Sequence, residues 1–186
     1  MKAVVVYESM YGNTHLVADA IGAGLRERGG VGADVVVLPV DRADAAALAG
    51  ADLLVVGGPT HAHGMSREST RKAAVDAADK PKSDLAVDPD AEGPGLREWF
   101  DTLGELTARA AAFDTRLDAL PLITGRASKG ITRQLHRHGC PVMADPESFL
   151  VSKGSVLADG EEQRAREWGA GLATARELRE VSSSRG

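Results

Sequence analysis

Cysteine is nearly absent from this sequence, with Cys140 as the single example among 186 residues. One thiol cannot form an internal disulfide, a CxxC redox pair or a cysteine-rich metal cluster. Free cysteines are most often buried and behave as small apolar side chains. We therefore predict that Cys140 packs in the core and is not a reactive thiol.

The sequence also lacks a long apolar segment and an excess of positive charge. No stretch is apolar over the thickness of a bilayer, and Met1 leads directly into a strand-like run without a signal-peptide pattern. The 22 lysines and arginines are outnumbered by 27 aspartates and glutamates, which gives a net charge of −5. No basic stripe with interleaved aromatic residues is present. These features predict a cytoplasmic protein that contacts neither membrane nor nucleic acid.

Apolar runs of strand length alternate with helical patterns along the chain. The predicted strands are Ala3–Val6, Asp34–Leu38, Asp52–Val56, Arg109–Phe113, and Pro141–Ala144 resuming at Phe149–Val151. Such alternation predicts an α/β fold with a parallel sheet and helices on both faces. The length fits a single domain over residues 1–181, followed by a polar tail over residues 182–186.

The helical patterns carry ordinary core stripes. One stripe contains Trp99 and the last helix contains Trp168, each at core spacing with neighbouring apolar residues. We therefore interpret both tryptophans as packing residues and not as ligand-stacking groups. The Ala- and Gly-rich face of the last helix either closes the core or packs against a second copy, so a homodimer stays open.

A turn with hydroxyl and amide side chains joins the first strand to an amphipathic helix that begins near Asn13. Its residues are Ser9, Met10, Tyr11, Gly12, Asn13 and Thr14. A helix N-terminus presents unpaired N–H groups and the positive end of the helix dipole, which favour an anion. The turn has no lysine and lacks three spaced glycines, which excludes a nucleoside-triphosphate P-loop and a dinucleotide motif. The turn therefore predicts a neutral cradle for one terminal phosphate, with a plain strand-to-helix connection as the alternative.

The residues Ser9 to Thr14 resemble the FMN-phosphate loop of the flavodoxin family, and the segment Gly57-Gly58-Pro59-Thr60 resembles a flavin loop of that family. The resemblance implies a flavodoxin-like three-layer sandwich whose five parallel strands have the order 2-1-3-4-5. It implies FMN as the cofactor, held by loops after the first, third and fourth strands.

The predicted loop after the third strand contributes Pro59, Thr60, His61, Ala62, His63 and Gly64 to this site. Its glycines would let the backbone approach a flat ring, and Thr60 would bind the polar edge of the ring. His61 and His63 occupy positions where short-chain flavodoxins usually have an aromatic residue. They titrate near neutrality and so are candidates for a proton relay to the flavin, with a helix-capping role as the alternative. No further residues with metal-ligand spacing lie nearby, and we predict no metal.

The predicted loop after the fourth strand contributes Thr115 and Arg116. The family commonly has a tyrosine here, but no aromatic residue lies between Asp114 and Gly130. Arg116 would neutralise a negatively charged reduced ring, or else form a surface salt bridge with Asp118.

Two further segments each have two possible interpretations. The proline-punctuated loop 79–95 is either a lid or partner-binding element or a surface excursion. The basic helix containing Lys129 and Arg133 is either a solvated face or a docking site for an acidic partner.

The sequence thus predicts an FMN-binding, flavodoxin-like redox protein that exchanges electrons with a partner protein or a small acceptor such as a quinone. Whether it is an FMN-dependent oxidoreductase in its own right is left open. The alternative from another class is a flavodoxin-like interaction or regulatory module with weak or no flavin binding. The scarcity of aromatic residues in both ring loops favours that alternative, and the phosphate loop opposes it.

Overall fold

The computed structural model describes residues 1–61, 63–81, 83, 85–89, 91, 93–120 and 124–183. The strands are β1 (Lys2–Tyr7), β2 (Asp34–Pro39), β3 (Leu53–His61), β4 (Gly64–Met65), β5 (Arg109–Leu117) and β6 (Glu147–Val151). The α-helices are α1 (Asn13–Arg28), α2 (Ala45–Leu48), α3 (Glu68–Ala78), α4 (Leu96–Thr102), α5 (Ala127–Arg137) and α6 (Glu161–Ser183), and a short 3-10 helix spans Val40–Arg42. The last helix thus includes the first two residues of the predicted tail, and residues 184–186 lie outside the described part.

The five long strands form one parallel sheet with the spatial order β2-β1-β3-β5-β6. The additional strand β4 has two residues and pairs antiparallel to the end of β3. When only the five long strands are counted, their order is the predicted 2-1-3-4-5. The prediction was wrong for Pro141–Ala144, which is not part of a strand. Only Val142 forms an isolated bridge to Ala110, and the last strand begins at Glu147. Two backbone hydrogen bonds flank this bridge, from the Ala110 N–H to the Pro141 carbonyl and from the Met143 N–H to the Ala110 carbonyl, and pairing with β5 resumes only at Glu147 opposite Phe113.

The sheet has a hydrophobic core on each face, as strands buried on both sides require. One core contains side chains of α1 and α6, including Val17, Ile21, Leu25 and Leu172. The other contains side chains of α4 and α5, including Trp99, Phe100, Ile131 and Leu135. The predicted three-layer sandwich is therefore confirmed.

Both tryptophans belong to these cores. The Trp99 indole N–H donates to the Ala43 carbonyl at 2.6 Å, and the Trp168 ring packs edge-on against Phe113 and Phe149. Cys140 is 1% exposed, and burial raises the pKa of its thiol. All three residues therefore have the packing roles predicted from the sequence.

Candidate functional site

A cavity of about 240 Å³ opens where the carboxyl ends of β3, β5 and β6 meet the start of α1. Its lining residues are Met10, Tyr11, Asn13, Thr14, Pro59, Thr60, His61, Thr115, Arg116, Leu117, Val151 and Ser155. The structure thus brings together nine residues that the sequence placed in three separate segments. A larger cavity of about 580 Å³ lies between α2 and the α4–β5 connection, away from this edge. We place the candidate site in the smaller cavity because only that one contains the predicted ligand-binding segments.

The phosphate loop is shaped by Gly12 at the start of α1. Gly12 has a φ of 82°, in the left-handed region that glycine adopts without strain, and no side chain caps the helix. The Gly12 N–H donates to Ser9 Oγ at 3.1 Å, so the buried Ser9 hydroxyl holds the turn from inside. Neither residue lines the cavity, and both therefore shape the loop while its neighbours face the opening.

Asn13 and Thr14 connect this loop to the other side of the cavity. The Thr14 and Thr115 hydroxyl oxygens are 2.7 Å apart and share a hydrogen bond. The Asn13 side-chain amide donates to the Ser155 carbonyl at 2.9 Å, which joins α1 to the segment after β6. Sequence reasoning did not identify Ser155, since nothing in its local pattern marks a ligand-binding residue.

The segment predicted as loop 79–95 packs on the outside of the phosphate loop. The Asp88 N–H donates to the Met10 carbonyl at 2.8 Å, and the buried Ala91 belongs to the same small cluster as Met10. The Asp88 carboxylate lies 3.4 Å from His15 Nδ1, and the His15 ring stacks on Tyr7 with centroids 4.5 Å apart. The described part of the segment therefore supports the phosphate loop, a role that the sequence had not revealed for Asp88 or His15.

The segment after β3 is a hairpin and not the open loop predicted. Strand β3 continues to His61, and Thr60 and His61 pair with Met65 and Gly64 of β4. His61 lines the cavity, and burial lowers the pKa of its imidazole. His63 is exposed, has a φ of 71° and does not line the cavity, and Gly64 is also outside the lining. Ala62 lies outside the described residues.

Gly57 and Gly58 serve the core, contrary to the prediction that they admit a flat ring. A side chain at Gly57 would collide with the Phe113 ring, and a Cβ at Gly58 would lie 2.6 Å from Leu96 Cδ1. Both glycines are buried within β3. The steric need for glycine therefore comes from the two faces of the sheet.

The predicted loop containing Thr115 and Arg116 is instead the end of β5, which runs to Leu117. The Arg116 guanidinium donates from Nη1 to the Ala119 carbonyl at 2.6 Å and the Leu117 carbonyl at 3.2 Å, and no ion pair with Asp118 is described. Arg116 Nε is buried and has no hydrogen-bond partner. An unpaired buried donor is costly, so a ligand that accepts a hydrogen bond there would be favoured.

Helix α5 is fixed to the cavity by its first two N–H groups. The Ala127 N–H donates to Thr60 Oγ1 at 2.8 Å, and the Ser128 N–H donates to Asp114 Oδ2 at 2.7 Å. Carboxylate and hydroxyl acceptors at a helix start satisfy donors that the helix itself leaves unpaired. Thr60 therefore positions a helix as well as lining the cavity.

Glu8, directly after β1, ties three segments together behind the phosphate loop. Its buried carboxylate accepts hydrogen bonds from the Ser66 hydroxyl and, at 2.8 Å, from the Leu96 N–H at the start of α4. Burial raises the pKa of Glu8, and the two hydrogen bonds and the nearby Arg71 oppose that shift. Arg71 in turn pairs with Glu98 at 3.2 Å. This network fixes the β3–β4 hairpin relative to β1.

The donor set of the cavity fits FMN. An uncapped helix start and the Asn13 and Thr14 side chains suit a phosphate without adding a positive charge, as in the neutral cradle predicted from the sequence. On the other side of the cavity, Thr115 and the unpartnered Arg116 Nε offer donors to the polar part of a ring.

Of the helices in the described part of the chain, none combines the length and apolar character that crossing a membrane requires.

Comparison with known proteins agrees with this geometry. A flavodoxin family model matches residues 5–95, which include the phosphate loop and β3. A flavodoxin from the domain Archaea has 22% identity and a TM-score of 0.62, with 94% of this chain and 97% of that chain covered. Oxidised flavodoxin 1 from Bacillus cereus has 20% identity and a TM-score of 0.60, with coverage of 91% and 95%.

A flavodiiron protein from Giardia intestinalis also shares the fold, with 20% identity and a TM-score of 0.58. The match covers 94% of this chain but 36% of that one, so the likeness concerns one part of a longer protein. No curated protein sequence matches the chain. The structural likenesses show the fold, and the family model matches the segment that contains the phosphate loop. The chain therefore has the flavodoxin fold and resembles the flavodoxin family over residues 5–95, and proteins of that family bind FMN.

Proposed function

We propose that this protein binds FMN in the 240 Å³ cavity and exchanges electrons with a partner protein or a small acceptor such as a quinone. The observation that carries the proposal is the convergence of Thr14, Thr115 and Arg116 on one opening at the carboxyl edge of the sheet. Open parallel sheets bind their ligands at this edge, beside the point where the strand order reverses. In this chain the order reverses between β1 and β3.

FMN, when bound, supplies the electron chemistry, and the protein residues supply binding and electrostatics. Asn13 and Thr14 would hold the phosphate at the start of α1. Arg116 would place a positive charge beside the ring, which favours a negatively charged reduced state and raises the reduction potential. His61, which burial keeps neutral at neutral pH, is in position to take up a proton at the cavity wall.

A second candidate function is an interaction module that binds flavin weakly. The aliphatic Leu117 lines the β5 side of the cavity in the region where the family commonly has a tyrosine. Tyr11 is the one aromatic residue besides His61 among the lining residues. Fewer stacking contacts would reduce the affinity for the ring without affecting the phosphate site.

An FMN titration followed by absorption and fluorescence distinguishes the two functions. The redox proposal expects saturable binding at micromolar flavin or below, quenched flavin fluorescence, and reversible bleaching on addition of dithionite. Riboflavin is the matched control ligand because it lacks the phosphate, and it should bind more weakly. If FMN does not bind at high micromolar concentration, the redox proposal is rejected and the interaction module becomes the leading function.

The two histidines are expected to contribute unequally to proton uptake. Burial lowers the pKa of His61, so it is neutral at neutral pH in the flavin-free protein. A negative charge gained on reduction would raise that pKa again. Between the pKa of His61 beside oxidised flavin and its higher pKa beside reduced flavin, the midpoint potential should therefore rise as the pH falls. For one proton per electron the slope is at most about 59 mV per pH unit. His61→Ala should remove this contribution, whereas His63→Ala, at an exposed position outside the lining, should retain it. Potential-versus-pH curves that coincide for wild type and His61→Ala would contradict the role.

A further inference from the structure

We propose that the exposed face of α5 is the docking surface for an acidic electron-transfer protein. The α5 face consists of Lys129, Arg133, His136 and Arg137, all of them exposed. The inference rests on the proposed redox function and adds the charge and the location of the partner. It adopts the second of the two interpretations that the sequence left open for this helix, the docking of an acidic partner.

The charges of the α5 face form a line along one side of the helix. Lys129, Arg133 and Arg137 are spaced by four residues, and residues at this spacing are neighbours on a helix surface. In the described part of the chain none of the three has a carboxylate within ion-pair distance, and Arg137 Nη1 donates a hydrogen bond to Gln134 Oε1 at 3.3 Å.

Three arginines elsewhere in the described part of the chain differ from those of the α5 face in having carboxylate partners. Arg71, Arg164 and Arg166 each contact at least one glutamate. The chain as a whole has a net charge of −5. A line of unpaired positive charge on an acidic protein creates a local potential that attracts negatively charged surfaces and repels positive ones.

The face lies next to the cavity because α5 begins there. The Ala127 and Ser128 N–H groups bind Thr60 and Asp114, so Lys129 is within the first turn after these anchors. The helix has 11 residues and at 1.5 Å per residue is roughly 16 Å long, so Lys129 and Arg133 are nearer to the cavity than Arg137 is. A protein docked on the first two turns of the face would also cover the rim of the candidate FMN site.

Between the cavity and the helix the chain exposes apolar side chains. Leu117 is 50% exposed and lines the cavity, and Leu120 is 69% exposed. The Leu120 carbonyl accepts from the Thr124 N–H at 3.2 Å, which places it close to the start of α5. An apolar contact bordered by charge is the usual composition of a protein interface. The surface of the partner that would complement it is an apolar patch surrounded by carboxylates.

The test uses the FMN-loaded protein and an acidic plant-type ferredoxin as the probe. The variant is Arg133→Glu, and the matched control is Arg28→Glu. Both positions are exposed on helices, and both changes give the same net charge, but Arg28 is in the last turn of the 16-residue helix α1, which packs on the other face of the sheet. Association is measured by amide chemical-shift changes on titration, and electron transfer by the second-order rate constant from reduced ferredoxin at several salt concentrations.

We expect the ferredoxin to shift amide signals of α5 and of residues 117–120, and the rate constant to fall as salt increases. Arg133→Glu should lower the low-salt rate constant about tenfold, whereas Arg28→Glu should change it by about twofold or less. Equal effects of the two variants, or shifts confined to other surfaces, would overturn the proposal. If FMN does not bind or is not bleached by dithionite, the redox function itself fails. The two failures are thus distinguishable.

Discussion

Replacing Gly169 with alanine is expected to lower the free energy of unfolding by about 1–3 kcal/mol, whereas replacing Gly171 should raise it by up to about 1 kcal/mol. The two glycines are two residues apart in α6. A Cβ at Gly169 would collide with the backbone carbonyl of Ile21 in α1, and a Cβ at Gly171 meets no atom within 4 Å. Backbone atoms of a packed helix cannot move aside as a flexible side chain can, so the two helices would have to separate.

The same close approach is seen from the α1 side, because a Cβ at Gly24 of α1 would collide with the Arg166 carbonyl of α6. The Ala- and Gly-rich face of α6 therefore closes the core against α1, which was one of the two roles predicted for it. Urea unfolding followed by circular dichroism measures both variants. A destabilisation of the same size in Gly171→Ala would show that the loss is not specific to the crossing of α6 with α1, because helix propensity alone favours alanine at both positions.

Replacing Thr14 with valine is expected to weaken FMN binding by about 1.5–3 kcal/mol, the contribution of a hydrogen bond to a charged group. This corresponds to roughly a ten- to hundredfold rise in the dissociation constant. Thr14 is 2% exposed, at the first turn of α1, and valine has nearly its shape but no hydroxyl. The change therefore removes a donor without opening a cavity.

The Thr14 hydroxyl also bonds to Thr115, so the variant leaves a buried hydroxyl without its partner. Its folding stability must therefore be measured without FMN, alongside the titration. Thr14→Ser is the matched control because it keeps the hydroxyl, and it should bind FMN nearly as well as the wild type. Unchanged affinity in Thr14→Val would exclude Thr14 from the phosphate site and weaken the FMN proposal as a whole.

The phosphate loop was the part of the site most accessible from sequence. Its signals are local: a strand, a glycine with φ of 82° and a helix start lie within a few residues of each other. The ends of β3 and β5 were less accessible. Both strands run several residues past the predicted ends, because pairing across the sheet continues from Gly57 with Phe113 to Pro59 with Thr115. Sheet pairing is a tertiary interaction, and local propensity does not determine where it stops.

The sequence by itself determined the alternation of strands and helices, the core positions of both tryptophans and the location of the turn before α1. These features depend on periodicity and on backbone preferences within a few residues. The strand order was implied by the resemblance to the flavodoxin family, and the structure has that order. Only the tertiary structure decided that Thr14 meets Thr115, 101 residues away, and that Asp88 supports Met10. It also decided that His61 faces the cavity while His63 does not, and that Gly57 and Gly58 make room for Phe113 and Leu96. These outcomes depend on which surfaces the folded chain brings into contact, and that information is not present in any local segment.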